Sequence, residues 1–159
     1  MYLDGMVGNG GPDAAVERAM VAIRRRQQRR TVAGQALGKD GARAIAALTE
    51  VLDVVEENDA DERRTTVTEL AHRLGVDQPR ASKVVNLAVE AGLLRRTDDP
   101  TDARRSLLRL TADGHTHLEQ VHEFRRSVFA AAMNDWTDDE RIVFAGLLTR
   151  FVSALTDPE

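Results

Sequence analysis

The sequence predicts a mainly α chain with a small β-hairpin wing: a winged helix-turn-helix core flanked by N- and C-terminal helices. Three observations predict it. Apolar residues recur every three to four positions along most of the chain, the period of helices that bury one face. Gly75-Val76-Asp77 joins two short helical stretches, the spacing of a helix-turn-helix. The two runs that lose the helical period, Leu93–Thr97 and Ser106–Leu110, follow directly and are close enough to pair as a hairpin.

The elements follow from local chemistry. The glycine-rich stretch 1–12 reads as a flexible arm before a single domain over 13–159, as the length leads one to expect. Asp13 is placed to cap a first helix over about 14–33, with Val16, Ala19, Met20 and Ile23 on one face and the polar run Arg24–Arg30 beyond. Gly34, Gly38 and Gly41 mark a break before a second helix, Ala42–Glu57, striped by Ile45, Leu48, Val51, Leu52 and Val55. Thr66-Val67-Thr68-Glu69 is a capping box that opens a third helix, which Gly75 ends after Leu74.

Asp77 caps the fourth helix, with Pro79 in its first turn and Gly92 beyond its end at Ala91. Leu70, Ala71, Leu74, Ala81 and Val84 are available for the core the two short helices share. Asp98–Ala103 is a turn-rich loop between the strands. Thr111 caps a fifth helix reaching Trp136. A second capping box, Thr137–Glu140, opens a sixth, with Phe144, Leu147, Leu148, Phe151 and Leu155 in one stripe. The winged helix-turn-helix then occupies about 63–110, and the flanking helices about 14–33 and 112–156.

Composition excludes whole classes of function. The chain has no cysteine, which removes disulfide scaffolds, thiolate metal sites, cysteine nucleophiles and thiol switches. No apolar run approaches the length of about 18 residues that a membrane span requires, and the first residues carry no signal-peptide pattern. A cytoplasmic location is expected. The net charge of −4 is unevenly spread: Arg63–Leu110 holds ten cationic and six acidic residues, while the remainder holds twelve and twenty. A basic segment in an acidic body is the footprint of phosphate contact, although a solvated basic face has the same composition.

A helix-turn-helix presents the first turns of its second helix to the major groove. Gln78, Pro79, Arg80 and Ser82 lie there, with Asn86 one turn on. Gln pairs with adenine, Arg with guanine, and Pro packs on a thymine methyl. Which of Gln78 and Arg80 faces the bases depends on the roll of the helix. Lys83, with Thr66 and Thr68 at the start of the third helix, suits phosphate; capping is an equally good role for Thr66.

The chain resembles the MarR family of winged-helix regulators, most densely in Thr66–Val76, Arg96–Arg105 and Leu110–Gly114. The resemblance implies a homodimer whose first and last helices interlock, and a repressor of transcription released by a small-molecule effector. It makes Arg104 the side chain for the minor groove, with Arg105 on phosphate or pointing away. The family wing has two successive arginines after the second Asp, and here Ala103 replaces the first. Asp99 and Asp102 would repel phosphate, so local work is expected of them: holding the loop and orienting arginines.

Other chemistry finds little support. His115, Glu119 and His122 are spaced i, i+4 and i+7 on the fifth helix, but Glu and His are common on exposed turns, and no metal is favoured. No triad, P-loop or dinucleotide-binding glycine pattern occurs. The expectation is therefore a non-enzyme that needs no cofactor and binds double-stranded DNA at a pseudo-palindrome. It would be homodimeric through the surplus apolar stripes of the first, fifth and sixth helices, and would take an effector of unknown identity. A metal-responsive protein of the same fold and a winged helix used for protein contact are the alternatives.

Overall fold

The computed structural model describes residues 10–33 and 39–156. Their order is α1 (Pro12–Ala33), α2 (Lys39–Ala60), α3 (Val67–Leu74), α4 (Gln78–Glu90), β1 (Leu94–Asp99), β2 (Asp102–Leu110), α5 (Ala112–Ala132) and α6 (Asp138–Thr156). The described part of the chain is thus mainly helical with one antiparallel two-stranded hairpin, the predicted class. Most of the proposed arm, with Gly34 and Gly38, lies outside the described residues.

Several boundaries differ from expectation, each for a local reason. α1 starts at Pro12 with Asp13 inside its first turn, because proline's fixed φ suits that position and its missing N–H costs nothing there. Asp13 is not a cap. α2 begins before Gly41 and runs on through Asn58-Asp59-Ala60, so neither that glycine nor the polar tail breaks it. α5 stops at Ala132, short of Trp136. The strands reach further than their apolar cores, and the loop between them shrinks to Pro100-Thr101.

The chain forms two compact units, 1–115 and 116–159. In the first, Val51, Leu52 and Val55 of α2 are buried, with Leu70 and Ala71 of α3, Ala81, Val85 and Ala88 of α4, and Leu94, Leu107, Leu108 and Leu110 of the hairpin. Val85, not Val84, is the buried valine of α4, and Ile45 of the α2 stripe is exposed. Burying a side chain of this size contributes about 1.5–3 kcal/mol. Each helix-turn-helix N-cap side chain accepts a backbone amide, as the sequence predicts. Thr66 Oγ1 accepts from Glu69 N–H at 3.2 Å, and Gly75 ends α3 at φ 61°, left-handed. Asp77 Oδ1 accepts from Arg80 N–H at 2.7 Å.

A tight joint links the hairpin to α5. Thr111 N–H donates to the Leu93 carbonyl at 3.1 Å, its hydroxyl donates to Gly92 O at 2.6 Å, and Gly114 N–H returns to Thr111 Oγ1 at 3.0 Å. In the second unit, Thr137 Oγ1 accepts from Glu140 N–H at 3.3 Å while Glu140 Oε2 accepts from Thr137 N–H at 2.8 Å. Both legs of that capping box are made. Trp136 meets Phe144 edge to face, with centroids 5.1 Å apart. Ile142, Val143, Phe144, Leu147, Leu148, Val152 and Leu155 leave a largely exposed apolar surface on α6. No helix among the described residues is long and apolar enough to cross a membrane.

Candidate nucleic-acid interface

The roll of α4 follows from its buried residues. Ala81, Val85 and Ala88 form the inner face. At about 100° per residue, Pro79, Lys83 and Asn86 lie opposite it, and all three are exposed. Gln78 and Arg80 are also exposed but fall on opposite flanks, about 160° apart on the same helical count. Ser82 is half-buried. Gln78 Nε2 donates to Thr68 Oγ1 on α3 at 3.1 Å, which holds the glutamine toward that helix and leaves its carbonyl oxygen and second N–H for another partner. Asn86 Oδ1 accepts from Arg96 Nη2 of β1 at 3.0 Å. Thr66 is half-buried as a cap, and Thr68 is exposed.

The wing arginines owe their position to an irregularity in the hairpin. Register is regular from Leu94↔Leu110 to Asp98↔Ser106, then jumps to Asp99↔Asp102. β1 advances one residue while β2 moves four, so residues 103–105 have no register partner on β1. Extra residues of this kind bend a strand and re-aim its side chains. Arg104 and Arg105 sit on this excursion, and both are exposed. Arg104 N–H donates to Asp102 Oδ1 at 3.0 Å, and Arg105 Nε lies 4.0 Å from Asp102 Oδ2.

Asp99 has a different partner. It is only 3% exposed and accepts from Thr101 N–H at 2.9 Å and from the Thr101 hydroxyl at 2.7 Å. Those two bonds hold its carboxyl below the ordinary value, and the Arg64 and Arg105 charges add to them against the opposing effect of burial. The guanidinium that pairs with it belongs to Arg64, with Nη1 at 3.1 Å from Oδ1. Sequence reasoning counted Arg64 within the basic segment and assigned it nothing. Asn58 also escaped notice; it is buried, and its Nδ2 donates to Thr65 Oγ1 at 3.1 Å. Arg109 pairs with Asp59 of α2. These partners are 7 to 50 residues apart, and no local pattern announces them.

His115 and Glu119 are exposed, His122 is half-buried, and Glu119 Oε1 accepts from Arg126 Nη2 at 3.1 Å. Among the described residues no three His, Cys, Asp or Glu side chains gather as a metal site. The i, i+4, i+7 spacing alone does not bring these side chains together.

A sequence model described as the MarR family matches residues 49–105, from α2 to the wing excursion. That match spans the winged helix-turn-helix segment of the chain. The chain is 29% identical over 90 residues to the HTH-type transcriptional repressor YetL of Bacillus subtilis (strain 168), a match covering 57% of this chain. The chain spans about half, 54%, of the length of that curated relative. It is also similar to the crystal structure of wild-type MarR from E. coli in its apo form, with a TM-score of 0.54 and 26% identity over 67% of this chain and 76% of that one. A MarR family protein from Bacillus stearothermophilus shares the fold across 94% of this chain and 100% of its own, with a TM-score of 0.65 and 18% identity.

Proposed function

We propose that this protein is a sequence-specific DNA-binding regulator of transcription, acting as a homodimeric repressor that a small-molecule effector releases. One observation carries the DNA reading. Cationic and amide side chains are exposed on the outer side and flanks of α4 and again on the wing excursion, the two places from which a winged helix reaches adjacent grooves. Pro79, Arg80, Gln78, Asn86 and half-buried Ser82 take base edges, while Thr66, Thr68, Lys83 and Arg105 take phosphates. Arg104 enters the minor groove, where a narrow A·T tract concentrates negative potential.

The similarity to YetL, a transcriptional repressor, supports the sign of regulation. The exposed apolar residues of α6, together with Val16, Met20, Val21 and Ile23 of α1 and Phe124 and Phe129 of α5, support self-association, since a stable interface takes about 1,200–2,000 Å² from such surfaces. An effector acts by binding one spacing of the two DNA-reading lobes better than the other. In this reading the chain is a cytoplasmic non-enzyme.

Selection of duplexes from a random library by the full chain tests the reading. The expected product is a pseudo-palindrome with half-site centres about 34 Å apart, bound at least about a thousandfold more tightly than scrambled DNA at the same salt. Uniform, purely salt-dependent binding to all duplexes would overturn it.

A further inference from the structure

Side-chain ties fasten the hairpin to the elements around it. Arg109 pairs with Asp59 at its base, Arg96 reaches Asn86 of α4 partway along, and Arg64 reaches its turn, bonding both Asp99 and Thr101. The tie at the turn differs from the others in its surroundings. Asp99 is the buried partner of a half-exposed arginine, with side chains 1% and 49% exposed, and the same carboxylate already holds the Thr101 backbone and hydroxyl. Arg64 itself stands on a fixed base. It precedes Thr65, whose carbonyl accepts from Leu108 N–H of β2 at 2.8 Å, and the cap of α3 at Thr66. One guanidinium thus spans from the entry of α3 to the turn next to the 103–105 excursion.

We infer that Arg64 is a positioning residue for the wing, setting the place of Arg104 relative to α3 and α4 through Asp99 and Thr101. This rests on the DNA reading above. Its guanidinium Nη1 is committed to a carboxylate whose charge offsets its own, so Arg64 acts through the wing and not as a phosphate ligand. A charge-assisted bond to a buried acceptor is strong enough to hold a two-residue turn that apolar packing leaves in solvent.

The test measures affinity of the full chain for a duplex it has selected from a random library, and for a scrambled duplex, across a range of salt. Wild type, Arg64→Ala, Arg64→Lys, Thr101→Val, Arg104→Ala and the Arg64→Ala/Arg104→Ala double variant are compared. Arg64→Ala is expected to weaken the selected duplex by about threefold to tenfold, with scrambled binding and the salt slope unchanged. Arg64→Lys restores most of the loss, and Thr101→Val, on the far side of the tie, moves affinity in the same direction as Arg64→Ala. In the Arg104→Ala background Arg64→Ala adds nothing, because residues acting through one another are not additive.

Two results overturn the inference while leaving the DNA reading intact. One is unchanged affinity of Arg64→Ala and Thr101→Val for the selected duplex. The other is a loss additive with Arg104→Ala and accompanied by a salt slope shallower by about 0.9, the signature of a phosphate contact. Failure of wild type to select any duplex removes the DNA reading, and the inference falls with it.

Discussion

Gly114 lies so close to the Leu93 carbonyl oxygen that a Cβ at position 114 would stand 2.2 Å from it. That oxygen also accepts from Thr111 N–H, so the helix entry and the end of the α4 segment share one backbone group. Relief would require moving a bonded carbonyl. Gly114→Ala is therefore expected to cost about 1–3 kcal/mol or more in urea unfolding. Gly146→Ala is the control: a Cβ there meets nothing within 4 Å, and helix propensity should stabilise that variant by about 0.5–1 kcal/mol. Equal effects at the two sites would sink the steric account.

The Thr66 hydroxyl satisfies an amide of α3. Thr66→Ala should lower stability by about 1 kcal/mol, and Thr66→Asp should restore most of it. Urea midpoints at neutral pH check both values. A DNA affinity that falls in Thr66→Asp while stability stays near wild type would separate the phosphate role from the cap.

Arg104 is exposed, and its backbone N–H is bonded to Asp102 Oδ1, which leaves the side chain available to a groove. Arg104→Ala should weaken binding to the selected duplex at least about tenfold, about 1.4 kcal/mol. Gel shifts at fixed salt measure this, and unchanged affinity would reject the role.

The lowered pKa of Asp99 has a pH signature. A carboxyl more acidic in the folded chain contributes its full stabilisation above its unfolded value, about pH 4. That contribution disappears as pH falls through the folded value. Asp99→Asn should therefore be less stable than wild type at neutral pH, with the gap narrowing below about pH 4. Urea midpoints from about pH 2.5 to about pH 7, which span that value, test the direction; a constant gap would show that the carboxylate's charge contributes nothing.

The helix-turn-helix was legible because its signals are local. A Thr three residues before a Glu, an Asp two residues before a Pro, and a Gly after an apolar run each name one helix end. The hairpin was half legible. Its two apolar runs lose the helical period, but its tip is rich in Asp, Thr and Arg, which read as loop. Backbone pairing there does not depend on side-chain hydropathy, so the strands extend further. The Arg64–Asp99 pair was invisible because its members stand 35 residues apart and meet only once the turn has formed. The pairing register that leaves 103–105 over was hidden for the same reason: alternation fixes which face a residue takes, not how many residues a turn takes up.

Trp136 is the chain's one tryptophan, and it rests edge-on against Phe144 within the C-terminal unit. Indole emission excited at its red edge therefore reports from within that unit. A titration that shifts this emission without changing far-ultraviolet ellipticity would locate an event at the C-terminal helices, with no dye or label attached.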